Sequence, residues 1–203
     1  MGRVLLDITT SLDGFVTGPG ADLAHGLGIG GEPLHDWIVA DDRTGADKEA
    51  LERTHRGVGA VLMGRRTFDL VDGPHGWTGD DPGGTGDDER PPILVVTSHP
   101  PAKVRLDGWF EFVTDGIHRA LELARKAAGD RDVMIMGGGN LCRQYLYAGL
   151  VDEVRIHVAP IVLGDGTPLF ERTTIAPLRL VQREAVATPA AVHLTYDVVR
   201  EEL

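Results

Sequence analysis

The sequence holds a single cysteine, Cys142, among 203 residues. A lone thiol closes no intrachain disulfide and builds no multi-cysteine zinc site, so neither is expected to support the fold. A chain of this length buries roughly 70% of the surface that its unfolded form exposes and needs no such staple. Basic residues are also scarce: 20 Lys and Arg stand against 31 Asp and Glu, for a formal charge of −11. Nucleic acids and anionic membranes are held through clustered Lys and Arg, so neither partner is expected. No run approaches 18 apolar residues, which leaves no transmembrane helix to predict. The opening MGRVLLDITTSLDG reads as a strand entering a turn and lacks the long apolar region and cleavage site of a signal peptide. A cytoplasmic location is the expectation. There is no P-loop, no G-x-S-x-G elbow and no H-x-x-x-H pair among the eight histidines, so no metal site is predicted.

What is present is ordinary globular composition, 42% hydrophobic and 25% charged. Arg3 to Thr10 reads as a first strand, followed by a Gly- and Asp-rich loop to about Gly31 and a short element over His35 to Ala40. Gly45 to Arg56 has helix formers and a charged face. Val58 to Met63 and Ile93 to Thr97 are short apolar runs of the kind buried in parallel sheets. A weaker strand is expected around Trp109 to Val113, then a helix from Ile117 to Ala128 with Asp115 as its cap and Gly129 as its stop. Asp132 to Met136 is a strand, Gly137 to Gly139 a turn, Asn140 to Ala148 a helix and Val151 to Ala159 a strand. Leu178 to Val186 and Val192 to Val199 alternate as a terminal hairpin. The pattern predicts one α/β domain over residues 1–203, a mixed but mostly parallel sheet flanked by helices, with an antiparallel hairpin at one edge. Gly73 to Pro92 reads as a mobile surface loop, and its Asp80, Asp81, Asp87, Asp88 and Glu89 supply five of the negative charges.

Two strand ends carry the chemistry. In Val133 to Asn140 a buried strand ends in Gly137, Gly138 and Gly139 and a helix starts at once. Glycine lets a ligand approach bare amides, and a helix start offers unpaired N–H groups to pyrophosphate. Gly64, Arg65, Arg66 and Thr67 follow another strand, with guanidinium and hydroxyl donors suited to phosphate. Thr97, Ser98 and His99 add hydroxyls and an imidazole at a third strand end. Open α/β sheets bind ligands at such carboxyl ends. By contrast, Gly26 to Gly31 satisfies G-x-G-x-x-G by letter, but no strand precedes it and Pro33 follows. His157 reads as a packed or hydrogen-bonded strand residue, and Cys142 as a small core residue.

The order SLDGFV (Ser11 to Val16), MGRRTF (Met63 to Phe68), ILVVTS (Ile93 to Ser98), IMGGGN (Ile135 to Asn140) and VDEVRIHVAPIVLGDGTPLF (Val151 to Phe170) resembles the dihydrofolate-reductase-like family over nearly the whole chain. Within it, the pattern is most similar to the C-terminal reductase domain of the bifunctional riboflavin-biosynthesis deaminase-reductase and its stand-alone relatives. The resemblance implies a three-layer fold that binds NADPH across the strand ends. Gly64, Arg65, Arg66 and Thr67 would hold phosphates, and Thr97 and Ser98 would lie near the 2′-phosphate. Gly137, Gly138, Gly139, Asn140 and Leu141 would wrap the pyrophosphate and nicotinamide side, with Asp13 and Gly14 on the loop beside the nicotinamide.

The pterin-binding carboxylate of dihydrofolate reductases falls by ungapped count on Lys48, flanked by Asp47 and Glu49. With one cysteine, the chain lacks the zinc-binding frame of the deaminase half. The expected activity is NADPH-dependent hydride transfer to a small heterocyclic, carbonyl or imine substrate. Alternatives are a non-catalytic NADP-binding protein or a dihydrofolate reductase. Asp13 is the candidate proton donor, Trp37 and Phe170 are candidate substrate contacts, and the resemblance implies a homodimer.

Overall fold

Alternating apolar runs and helices give eight strands in one sheet, and the first of them runs through its interior. The computed structural model describes residues 2–74, 76–78, 90–171 and 177–199, so residues 79–89, which carry the acidic part of the predicted loop, lie outside the described residues. Strand β1 is Val4–Ser11, β3 Val58–Gly64, β4 Ile93–Val96, β5 Phe110–Val113, β6 Asp132–Gly137 and β7 Glu153–Ala159, all parallel to one another. The hairpin of β9 (Arg179–Ala187) and β10 (Val192–Val199) runs antiparallel beside β7. The order across the sheet is β5-β4-β3-β6-β1-β7-β10-β9. The near-continuous burial of β1 and β3 is what a strand covered on both faces requires.

Two helices cover one face. Helix α4 (Gly116–Ala128) turns Ala120, Leu121, Ala124 and Ala128 inward at helical spacing and stops where Gly129 takes a φ of 64°. Helix α5 (Gly139–Tyr147) buries Leu141, Cys142, Tyr145 and Leu146 beside it, and both meet Leu6, Leu62 and Ile135 of the sheet. The opposite face carries α3 (Arg65–Val71), whose Phe68 packs with Val61, Met63 and Val95. It also carries α1 (Asp36–Val39) and α2 (Gly45–His55), whose Trp37 and Thr54 reach Thr9 and Asp7 of β1. Helix α2 starts with a reciprocal box in which Thr44 and Asp47 each bond the other's backbone N–H.

The structure adds two short strands that the pattern did not predict. Strand β2 (Phe15–Thr17) pairs antiparallel with β8 (Thr167–Pro168) in a separate two-stranded sheet. At three and two residues, these strands are too short for a period to register.

Candidate functional site

The parallel strands end on a common edge, and β1 divides it. On the β6 and β3 side the edge is made of backbone. Gly137 takes a φ of 129°, a conformation side chains avoid. Gly139 is packed so closely that a Cβ there would lie 3.1 Å from Val16 Cγ2 and 3.2 Å from the Pro168 carbonyl oxygen. Gly138 between them is open, since a Cβ would meet only Thr67 Oγ1, at 3.4 Å. At Gly64 the nearest atoms belong to Leu141, Gly137 and Gly138, so the two glycine turns lie against each other. The structure thus brings Gly64, Thr67, Gly137, Gly138, Gly139 and Leu141 together. No described side chain caps the first turn of α5 or α3, and neither turn contains an acidic residue, so the unpaired N–H groups of each helix start and its dipole are left to favour an anion.

The charged residues of this side lie further out. Arg65 donates through Nε to Asp69 Oδ1 at 2.8 Å and through Nη1 to the His99 carbonyl oxygen, tying α3 to the end of β4. Ser98 Oγ lies 2.8 Å from His99 Nδ1, and Thr97 Oγ1 accepts from the His99 N–H at 3.2 Å. Arg66 and Asn140 are exposed, and Asn140 Oδ1 accepts from Gln144 at 2.7 Å.

The loop after β1 is latched by Asp13. Its carboxylate accepts from Ser11 Oγ at 2.6 Å and from the backbone N–H groups of Leu163 and Gly164 at 3.1 and 2.7 Å. The Ser11 bond and those two amides pull its pKa down to about 2. A carboxylate this acidic holds no proton at neutral pH, which corrects the expectation that Asp13 is the donor. It shapes the turn, where Gly14 takes a φ of 87° and accepts from the Leu169 N–H at 2.8 Å.

Beyond β1 the edge is made of side chains. The register sets Asp7 opposite Arg155, Thr9 opposite His157, and His157 opposite His193. With a period of two, all five side chains turn to the α1 and α2 face. There they form a series. Asp7 Oδ1 lies 3.1 Å from His157 Nε2, His157 Nδ1 2.7 Å from His193 Nδ1, and His193 Nε2 3.0 Å from Asp47 Oδ1. Thr54 Oγ1 donates to Asp7 at 3.1 Å, and Thr188 Oγ1 donates to Asp47 at 2.7 Å. The Trp37 ring lies 4.1 Å from that of His157 and 5.1 Å from that of His193.

All four titratable members are buried, Asp47 with no accessible surface. Burial alone raises a carboxylate, yet bonds from Thr44, Thr188 and His193 bring Asp47 to about 2, and His157, Arg155 and Thr54 hold Asp7 below its ordinary value. Next to this series lies a cavity of about 390 Å³ lined by Thr44 and Asp47 of α2, by Asp36, Asp42 and Arg43, and by Pro160 and Ile161 after β7.

Residues 3–194 match the model of the RibD C-terminal domain family. The chain belongs to that family. It is 29% identical over 173 residues to the uncharacterized protein YyaP of Bacillus subtilis (strain 168), covering 83% of this chain and 80% of that one. With the riboflavin biosynthesis protein RibD of Corynebacterium ammoniagenes it shares 30% identity over 174 residues, 81% of this chain and 44% of that protein. It therefore spans less than half of that relative's length. A crystal structure of a putative riboflavin biosynthesis protein from Shewanella sp. PV-4 has the same fold, with a TM-score of 0.68 at 22% identity over 98% of this chain and 99% of that one.

The two predicted substrate contacts do not line the cavity. Trp37 is 2% exposed, donates from Nε1 to Thr9 Oγ1 at 3.0 Å and packs its ring on the histidine pair. Phe170 is 49% exposed and does not line the cavity. Asp7, His193 and Thr188, which join His157 and Asp47 in the buried series, are not marked by the sequence pattern. A faint signal exists in VLLDITT, where an acid interrupts a buried strand. His157 is packed and hydrogen-bonded, as read. Asp47 is the acid one place from the ungapped count.

Proposed function

We propose that this chain is an NADPH-dependent reductase of a small C=N or C=O substrate. The observation that carries the reading is the pair of bare glycine turns at the carboxyl edge, placed across β1 from a cavity large enough for a small heterocycle. When bound, the dinucleotide supplies the hydride. The residues supply position: Gly138, Gly139 and the first turn of α5 receive the pyrophosphate, with the Thr67 hydroxyl beside it. Arg65, Arg66, Thr97 and Ser98 lie toward the 2′-phosphate, and the Asp13 latch holds Gly14 beside the reacting ring. Membership of the RibD C-terminal domain family supports this assignment.

The cavity wall narrows the substrate. Asp36, Asp42 and Asp47 outnumber Arg43, whose guanidinium is already donated to the Ala40 and Ile38 carbonyl oxygens. Such a wall favours a neutral or cationic heterocycle over a phosphate ester. It also favours a substrate other than dihydrofolate, because Asp47 is spent inside the protein on Thr44, Thr188 and His193. Homodimerisation is part of the proposal. The edge strand β9 leaves Leu180 and Val181 exposed on opposite faces, and an unpaired apolar edge invites a partner. Sedimentation equilibrium that finds only a monomer at micromolar concentration removes that part.

The test begins with binding. NADPH should quench tryptophan fluorescence and raise the melting temperature, and it should then be oxidised with at least one of a panel of aldehydes, quinones and flavin precursors. No thermal shift at saturating NADPH refutes the cofactor assignment. Tight binding with no turnover on the panel favours the non-catalytic NADP-binding reading.

A further inference from the structure

The series Asp7, His157, His193 and Asp47 contains three hydrogen bonds end to end. Each needs one proton. Two neutral imidazoles bring two, and both carboxylates are held ionised by their other partners, so a third proton must sit on the histidine pair. If it were missing, the two Nδ1 atoms at 2.7 Å would either face each other with lone pairs, or one ring would turn a lone pair onto its carboxylate. The array is then one imidazolium and one imidazole between two carboxylates, with Arg155 Nη1 3.9 Å from Asp7 Oδ2 supplying the remaining charge. A buried cation flanked by paired carboxylates is a balanced arrangement.

We propose that Asp7, His157, His193 and Asp47 form a proton-holding relay that supplies the proton consumed when a substrate in the adjoining cavity is reduced. This rests on the reductase reading and answers what that reading leaves open, since Asp13 is ionised. Hydride addition to the carbon of a C=N or C=O group, from a reduced nicotinamide, sends the π electron pair to nitrogen or oxygen, and that atom must take up one proton. The route runs from His193 Nε2 to Asp47 Oδ1 at 3.0 Å; the Thr44 hydroxyl, which donates to Asp47 Oδ2 at 2.7 Å and lines the cavity, turns to give its own proton to the substrate and takes one from Asp47 in exchange. The substrate atom gains one proton, the histidine pair is left neutral, and water restores the lost proton.

The groups packed on the pair are consistent with this role. Asp7 from β1, Asp47 from α2 and, through Asp7, Arg155 from β7 are its charged neighbours; α1 contributes Trp37 and the turn after β9 contributes Thr188. Burial disfavours the charged form of the His193 ring against the pull of Asp47, so the pair can release its third proton. The four residues act through one another and through Thr44, which makes them positioning and relay residues.

The test uses the full chain. Nitrogen-15 NMR of the histidine rings, without cofactor, should show His157 and His193 sharing three ring protons as a single unit, one of them strongly deshielded between the two rings. Independent titration of the two rings, or two neutral rings throughout, overturns the relay. In turnover with NADPH, Asp47→Asn should lower kcat about a hundredfold at neutral pH and erase the basic limb of its pH profile, with KM little changed. Turnover with an unaltered profile in Asp47→Asn overturns the supply role while leaving the reductase reading intact. A shared proton seen by NMR with no NADPH turnover on any substrate overturns the reductase reading and the supply role together, and the proton-holding pair stands on the spectra alone.

Discussion

On the β3 and β6 side of β1 the carboxyl edge is bare backbone: glycines, helix starts without described caps, and a threonine hydroxyl turned inward. On the β7 and β10 side it is a closed set of side chains in which each donor has an acceptor. The first side is built to leave donors open to an anion, and the second to leave none. A ligand added to the first gains bonds the protein has not made, whereas a substitution in the second breaks bonds it has already made. The two sides should therefore fail differently when mutated, one in binding and the other in stability.

The largest effect is expected at Asp7. Asp7→Ala removes the acceptor of His157 and Thr54 and the counter-charge of Arg155 inside the sheet. Loss of one partner of a buried ionic group costs about 3 kcal/mol, read as a lower urea midpoint with an unchanged slope. A loss under about 0.5 kcal/mol, the range of ordinary surface changes, would mean that the array is not a closed network.

Next is Gly138→Ala. Gly138 has a φ of −76°, which alanine adopts without strain, and the added methyl would meet only Thr67 Oγ1. The fold should keep its melting temperature while NADPH binds about tenfold to a hundredfold more weakly, the equivalent of one or two lost bonds to a charged group. Isothermal titration beside thermal melting separates the two effects. Equal affinity with the wild type removes the turn from the cofactor site.

This contrast also explains what the residues could foretell. The glycine side was legible because it depends on local order: a strand, three glycines and a helix occupy consecutive positions from Val133 onward. The mostly parallel sheet was legible for the same reason, since buried runs such as VLLDITT and VGAVLM alternate with helices, whereas the order of its strands came only with the structure. The histidine side was not legible, because its four members come from four elements and meet only through register. His157 faces His193 across an antiparallel pair, and Asp47 arrives from a helix more than a hundred residues earlier. No spacing records that meeting. Asp13 misled for the opposite reason: an acid beside a glycine in a loop looks available, but Leu163 and Gly164, distant in sequence, occupy its oxygens.

A smaller effect concerns acid. Asp47 titrates at about 2 in the folded chain against an ordinary value of 3.8, so its folded pKa is depressed. The stability this supplies is fully present above about pH 4 and is lost as the pH falls through about 2. Asp47→Asn should lower stability at neutral pH and flatten the decline of the urea midpoint across that window. A decline as steep as in the wild type would assign the acid sensitivity to other carboxylates, Asp7 first among them.

The smallest effect on the fold, and the finest on function, is expected at Arg65. Its pair with Asp69 is one helical turn apart and partly exposed, a setting in which ion pairs contribute about 0.5 kcal/mol or less. Arg65→Ala should therefore leave the melting temperature nearly unchanged. The guanidinium spends two donors on Asp69 and the His99 carbonyl oxygen, which sets its plane beside Thr97 and Ser98, and its remaining N–H groups stay available to a phosphate. If they meet the 2′-phosphate, affinity for NADPH should fall about tenfold while affinity for NADH, which lacks that group, stays near the wild-type value. An equal fall for both cofactors would move Arg65 to the pyrophosphate. No fall for either would make it a strut between α3 and β4, and would leave Arg66, exposed on the same turn, to distinguish the two cofactors.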